Sequence, residues 1–89
     1  MTFRVLLHPK AAKEIQKIEK QILTTIIESA KQLCENPDKL GKPLKQSNYF
    51  RLRVGDYRVI YEINQNKKQV VILFIGHRSK VYDDFSKML

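Results

Sequence analysis

Residues 49–63 read YFRLRVGDYRVIYEI, two alternating runs on either side of a glycine–aspartate pair, and no other stretch restricts the fold so tightly. Glycine supplies the positive φ that a two-residue hairpin turn requires, so Gly55 and Asp56 predict a tight β-hairpin. A two-residue loop also sets the register. Val54 then faces Tyr57, Arg53 faces Arg58, Leu52 faces Val59, Arg51 faces Ile60 and Phe50 faces Tyr61. Side chains alternate between faces, which puts Phe50, Leu52, Val54, Tyr57, Val59 and Tyr61 together as the core face. Arg51, Arg53 and Arg58 fall on the other face, beside Tyr49, Ile60 and Glu62.

The flanking segments complete an α+β plan. Phe3, Val5 and Leu7 alternate around Arg4 and predict an opening strand over residues 2–7. Pro9 suits a first helical position, where its missing N–H would have had no partner. From there Ala11, Ile15, Ile18, Ile22, Ile26, Ala30 and Leu33 recur every three or four residues to about Glu35. This stripe fits either one long helix or a helical hairpin broken near residues 19–21. Residues 36–47 form a polar connection bearing proline and glycine. Residues 64–68 form a turn, and 69–75 are apolar at nearly every position, as in a strand covered on both faces. The predicted fold is an N-terminal strand, two helices and then a mostly antiparallel twisted sheet with the helices on one face. One small domain spans residues 1–89, with no linker or repeat.

Charge carries most of the functional information. Seventeen Lys and Arg against nine Asp and Glu leave +8 on 89 residues, which favours a polyanionic partner such as nucleic acid. The apolar run 70–75 is too short to cross a bilayer, and residues 1–7 lack a signal-peptide pattern. The one cysteine, Cys34, cannot form an internal disulfide and reads as a small core hydrophobe. A cytoplasmic protein is expected. Two histidines and one cysteine at these spacings make no metal site, and no glycine-rich phosphate loop precedes a helix, so no cofactor is expected.

Arg53 directly opposite Arg58 is costly for a sheet. Two unit charges about 6 Å apart repel by roughly 0.7 kcal/mol in water, and more where water is excluded. An anion held between them relieves this, and arginine's planar fork matches phosphate oxygens. The alternative is that the guanidinium groups splay into solvent or pair with Glu62, Asp83 or Asp84. Arg58 is expected on the surface, where its replacement would cost no more than about 0.5 kcal/mol. His77, Arg78 and Tyr82 join the candidate set because the last strand exits there. Histidine alone among these can exchange a proton near neutral pH, although alternation sets His77 and Arg78 on opposite faces.

The hairpin 49–63, the preceding LKQS and the later IGHRSKVY of residues 75–82 strongly resemble the RelE/ParE toxin superfamily. The resemblance covers nearly the whole chain. It implies a toxin of a type II toxin–antitoxin pair, held inactive by an acidic antitoxin and meeting operator DNA only through that complex. Within the superfamily the RelE branch cuts messenger RNA in the ribosomal A site, and the ParE branch poisons DNA gyrase. Residues matching the RelE catalytic positions are Arg51, Arg53, Arg58, Arg78 and Tyr82, with His77 as a candidate proton acceptor. The best-known RelE enzymes have lysines where this chain has first-strand arginines. The implied activity is a ribosome-dependent mRNA endoribonuclease. The alternatives are a gyrase-inhibiting toxin and a silent member that only binds antitoxin and operator. The tail, residues 83–89, is expected to move or order when the antitoxin binds.

Overall fold

The structure, a computed structural model, describes residues 2–44, 47–82 and 86. The tail 83–89 and the Asp83–Asp84 pair, apart from Ser86, lie outside the described residues.

The helical stripe resolves as a broken pair. Helix α1 (Pro9–Glu14) opens on His8, whose Nδ1 accepts the Lys10 N–H at 3.2 Å. A 3₁₀ turn, Ile15–Lys17, ends at Ile18, where the backbone becomes extended. Helix α2 (Lys20–Lys31) then starts with the Leu23 N–H on the Glu19 carbonyl at 2.8 Å. Length gives the physical reason. A rod of residues 11–35 would run about 37 Å at ~1.5 Å per residue, whereas the longest extent of the molecule is 32 Å. Breaking at residues 18–19 lets Ile15, Ile18, Ile22 and Ile26 all reach the same core.

Five strands form one sheet in the order β1-β5-β4-β3-β2: β1 (Arg4–Leu7), β2 (Lys42–Pro43), β3 (Tyr49–Val54), β4 (Tyr57–Asn64) and β5 (Gln69–His77). All neighbours are antiparallel except β1 and β5, which run parallel with Arg4 beside Gln69. The hairpin register is the one the Gly55–Asp56 turn predicts, from Val54 opposite Tyr57 to Tyr49 opposite Glu62. Gly55 has φ +58, the left-handed value the turn demands. The helix-covered face holds the main core of Ala11, Ile26, Leu33, Val59, Tyr61, Val70 and Ile72, with Phe50, Leu52 and Val54 beside it.

The opposite face has a core of its own, as the apolar run 69–75 leads one to expect of a strand covered on both faces. Ile60, Phe74 and Val81 form a second buried cluster there, bordered by Leu44, Tyr49, Leu73 and Tyr82. Ile60 and Phe74 meet there through plain alternation, and a bulge in β5 follows directly. Ile60 pairs with Phe74 and Tyr61 with Ile72, leaving Leu73 as the extra residue.

The connection 36–47 also carries structure. Pro37–Leu40 forms a single helical turn, α3, and Lys42–Pro43 adds the short edge strand β2 beside Arg51 and Phe50. Gly41 permits this close approach: a Cβ there would meet the Tyr61 hydroxyl and stand 2.9 Å from the Arg51 carbonyl. Tyr61 is fully buried and donates its hydroxyl proton to the Pro37 carbonyl. Burial pushes this phenol up from 10.0 to about 12; the Gly41 N–H on its oxygen opposes the rise and the Asp38 charge adds to it.

Candidate functional site

The basic face is built where the hairpin turn meets the end of β5. Arg51, half-buried on β3, donates from Nη1 to the Tyr82 hydroxyl at 3.1 Å. That contact joins the hairpin to the chain that follows the sheet, thirty-one residues away. The Tyr82 oxygen accepts in this bond, so its own O–H stays available as a donor. Val81, only 1 % exposed, anchors the segment from below against Ile60 and Phe74.

Arg53 is exposed and stands across the ladder from Arg58. Arg58 departs from the surface position expected of it. It is 8 % exposed, the one charged side chain in the buried class among the described residues. The cause is local: Nη1 turns back to the hairpin and donates to the Gly55 and Tyr57 carbonyls, both at 2.8 Å. None of its nitrogens is both buried and unpartnered, so the remaining N–H groups keep access to the surface. Arg58 thus presents a guanidinium edge that the hairpin turn holds in place.

Arg78 is exposed, but its backbone is not free. Its N–H donates to the Asp56 carbonyl at 2.8 Å, which ties the segment after β5 to the tip of the hairpin. Among the described residues no acidic side chain pairs with Arg51, Arg53, Arg58 or Arg78. Among the described residues, no side chain relieves the repulsion between Arg53 and Arg58, which leaves room for a bound anion.

Arg51, Arg53, Arg58 and Tyr82 gather on this face, Arg78 follows directly after β5 with its backbone tied to the hairpin tip, and His77 lies elsewhere. It pairs across the ladder with Tyr57 and meets that ring edge-on, centroids 5.7 Å apart and planes at 80°. Tyr57 belongs to the helix-covered side. His77 accordingly lines a depression of about 390 Å³ with Glu14, Lys17, Tyr57 and Lys80, away from the arginines. Two contributors went unread in the sequence. Val81 carries no pattern that marks it as an anchor. Lys10 on α1 places its Nζ 4.9 Å from the centre of the Phe74 ring, adding a cation on the second cluster. The described residues contain no group of three or more His, Cys, Asp or Glu able to hold a metal ion. No helix among them is long and apolar enough to cross a membrane.

This face stands on a fold seen before. Residues 5–82 match the family described as the ParE toxin of type II toxin–antitoxin systems, parDE. Toxin RelG of Mycobacterium tuberculosis (strain ATCC 25618 / H37Rv) is 33 % identical over 85 residues, covering 92 % of this chain and 98 % of the relative. Among solved structures, the toxin–antitoxin complex RelBE2 from the same species contains a chain with TM-score 0.82 and 32 % identity, covering 88 % of this chain and all of that one. The archaeal RelE–RelB complex from Pyrococcus horikoshii gives TM-score 0.75 and 31 % identity, over 90 % of this chain and 99 % of that chain. An N-terminal strand, a helical pair and a five-stranded mixed sheet thus agree with the fold of the similar structures, and the chain belongs to the ParE toxin family, a type II toxin of the RelE/ParE superfamily.

Proposed function

We propose that this toxin is a ribosome-dependent mRNA endoribonuclease, acting in the cytoplasm and held inactive by an acidic antitoxin. The observation that carries the reading is the Arg51–Tyr82 contact beside the Arg58 edge held by the turn, with Arg53 across the ladder and no acidic partner for any of these arginines among the described residues. The RelE and RelG names of the sequence relatives, and the toxin–antitoxin complexes among the similar solved structures, support the same reading.

The chemistry is attack of a ribose 2′-oxygen on the adjacent phosphorus, breaking the bond to the 5′-oxygen. The products are a 2′,3′-cyclic phosphate and a 5′-hydroxyl. Arg53 and Arg58 hold the non-bridging oxygens as charge builds on them. Arg78 stabilises the departing 5′-oxygen. Tyr82, polarised by Arg51, supplies the proton that the leaving oxygen takes up. Arginine does not deprotonate, so this set contains no proton acceptor for the 2′-hydroxyl. That proton passes to water or to a group of the ribosome, which also aligns the message. Operator DNA is met only through the antitoxin complex.

The test is primer extension on a defined message bound to purified ribosomes. New 5′ ends at codons are expected with the parent. Arg53→Ala should lower the cleavage rate by about 10²–10³ while the protein melts at the parent temperature, because that side chain is exposed. The match to a ParE family description favours one rival, a gyrase poison. Under that reading Arg53→Ala remains fully toxic, messages stay intact, and supercoiling by gyrase falls instead.

A further inference from the structure

The turn after β5 is held residue by residue. The Arg78 N–H is on the Asp56 carbonyl at 2.8 Å, and the Lys80 N–H is on the His77 carbonyl at 2.9 Å. Between them, the Ser79 N–H donates to His77 Nδ1 at 3.2 Å, and Ser79 Oγ lies 2.9 Å from the same nitrogen. Val81 is then buried in the second cluster, and Tyr82 receives Arg51. The imidazole ring is itself braced edge-on against Tyr57.

Neutral imidazole has one donor nitrogen and one acceptor nitrogen. With Nδ1 accepting from the Ser79 N–H, the ring proton of the neutral form is on Nε2. The basic lone pair is therefore engaged inside the turn. The ring also faces Glu14, Lys17, Tyr57 and Lys80, on the side of the sheet away from Arg51 and Tyr82. A general base must lie within hydrogen-bond reach of the proton it takes.

We propose that His77 is a positioning residue: through Nδ1 it fixes the turn over residues 77–80, and thereby sets Arg78 and Tyr82 against the phosphate. The side chain imitates an Asx-turn, in which an acceptor on the γ-carbon caps the N–H two residues on. This role rests on the endoribonuclease reading, but the turn itself does not.

Asparagine keeps an acceptor on the γ-carbon and cannot titrate; leucine keeps the branching and has no acceptor. His77→Leu should lower kcat on programmed ribosomes about 10²-fold with KM near the parent value, since small misplacement of reacting groups costs that much. The Ser79 amide should exchange its hydrogen about 10-fold faster, as expected for a donor that has lost its partner. His77→Asn should restore both to within a few fold and keep the parent's pH–rate profile. Asparagine as slow as leucine with Ser79 still protected, or leucine cleaving like the parent, overturns the proposal. If the parent itself cleaves nothing, the endoribonuclease reading fails separately. The exchange measurement then decides the turn, and equal Ser79 exchange in parent and His77→Leu overturns it.

Discussion

Strand β4 sends one polar side chain deep into each face of the sheet, and the two are handled in opposite ways. On the helix-covered face, Tyr61 is fully buried and neutral, its hydroxyl donating to the Pro37 carbonyl and packed against Gly41. On the other face, Arg58 is charged and tied to two carbonyls by a single nitrogen, leaving the rest of its fork without a partner among the described residues. The first arrangement satisfies every atom within the fold and serves stability. The second holds a cation rigid and leaves it incomplete, which suits a side chain that awaits an anion. Neighbouring positions of one strand can therefore serve two purposes because the pleat separates them.

The comparison breaks most visibly at Arg58. Arg58→Ala should reduce mRNA cleavage by about 10²–10³ and also cost about 2 kcal/mol, because two charge-assisted bonds to the hairpin turn and a buried stem disappear together. Ribosome cleavage and a denaturant melt measured on the same preparation test both halves. A neutral effect on stability would place this residue with Arg53, as a surface cation. Arg58→Lys should recover only part of the activity, since lysine keeps the charge and loses the fork.

On the closed face the largest expected loss is at Gly41. Gly41→Ala brings a Cβ onto the Tyr61 hydroxyl and to 2.9 Å from the Arg51 carbonyl, so backbone must move on both sides. About 3 kcal/mol of stability should be lost, read from the denaturation midpoint. Tyr61→Phe should cost less, about 1–2 kcal/mol near neutral pH, for leaving the buried Pro37 carbonyl without its partner. The same variant carries a pH signature. In the unfolded chain the phenol loses its proton near pH 10.0, and in the folded protein near 12. Between those values the folded state binds more protons, so the Tyr61 contribution is complete below pH 10 and falls by about 1.4 kcal/mol per unit as pH rises. Melts from pH 9 to 12 should show the parent losing this increment and the phenylalanine variant lacking it.

These effects divide along the line between what the residues disclosed and what they hid. The hairpin register was readable because Gly55 can hold a positive φ and only one pairing follows from a two-residue turn. Grouping of Arg51, Arg53 and Arg58 followed from alternation alone. The burial of Arg58 did not, because it depends on carbonyls its own side chain curls back to reach and on a second cluster closed by Val81. The β5 bulge was equally silent: residues 70–75 are apolar throughout, so a slip of one position leaves no mark in the pattern. Pro37 and Gly41 read as chain breakers, yet one starts α3 and the other admits Tyr61. His77 was flagged for its chemistry, and its placement came only from its pairing with Tyr57.

The parallel pairing of β1 with β5 has a consequence for how the chain is made. Arg4 lies beside Gln69, so the first strand synthesised waits for the last before its hydrogen-bonding edge is satisfied. Such long-range closure is slow and cooperative, and it leaves an apolar strand unpaired throughout most of translation. The same delay covers the arginine face, because Arg78 and Tyr82 follow β5 and meet the hairpin only once that strand is in place. A nascent chain of this protein therefore exposes neither a finished sheet nor a finished site until the segment through Tyr82 has left the ribosome that made it.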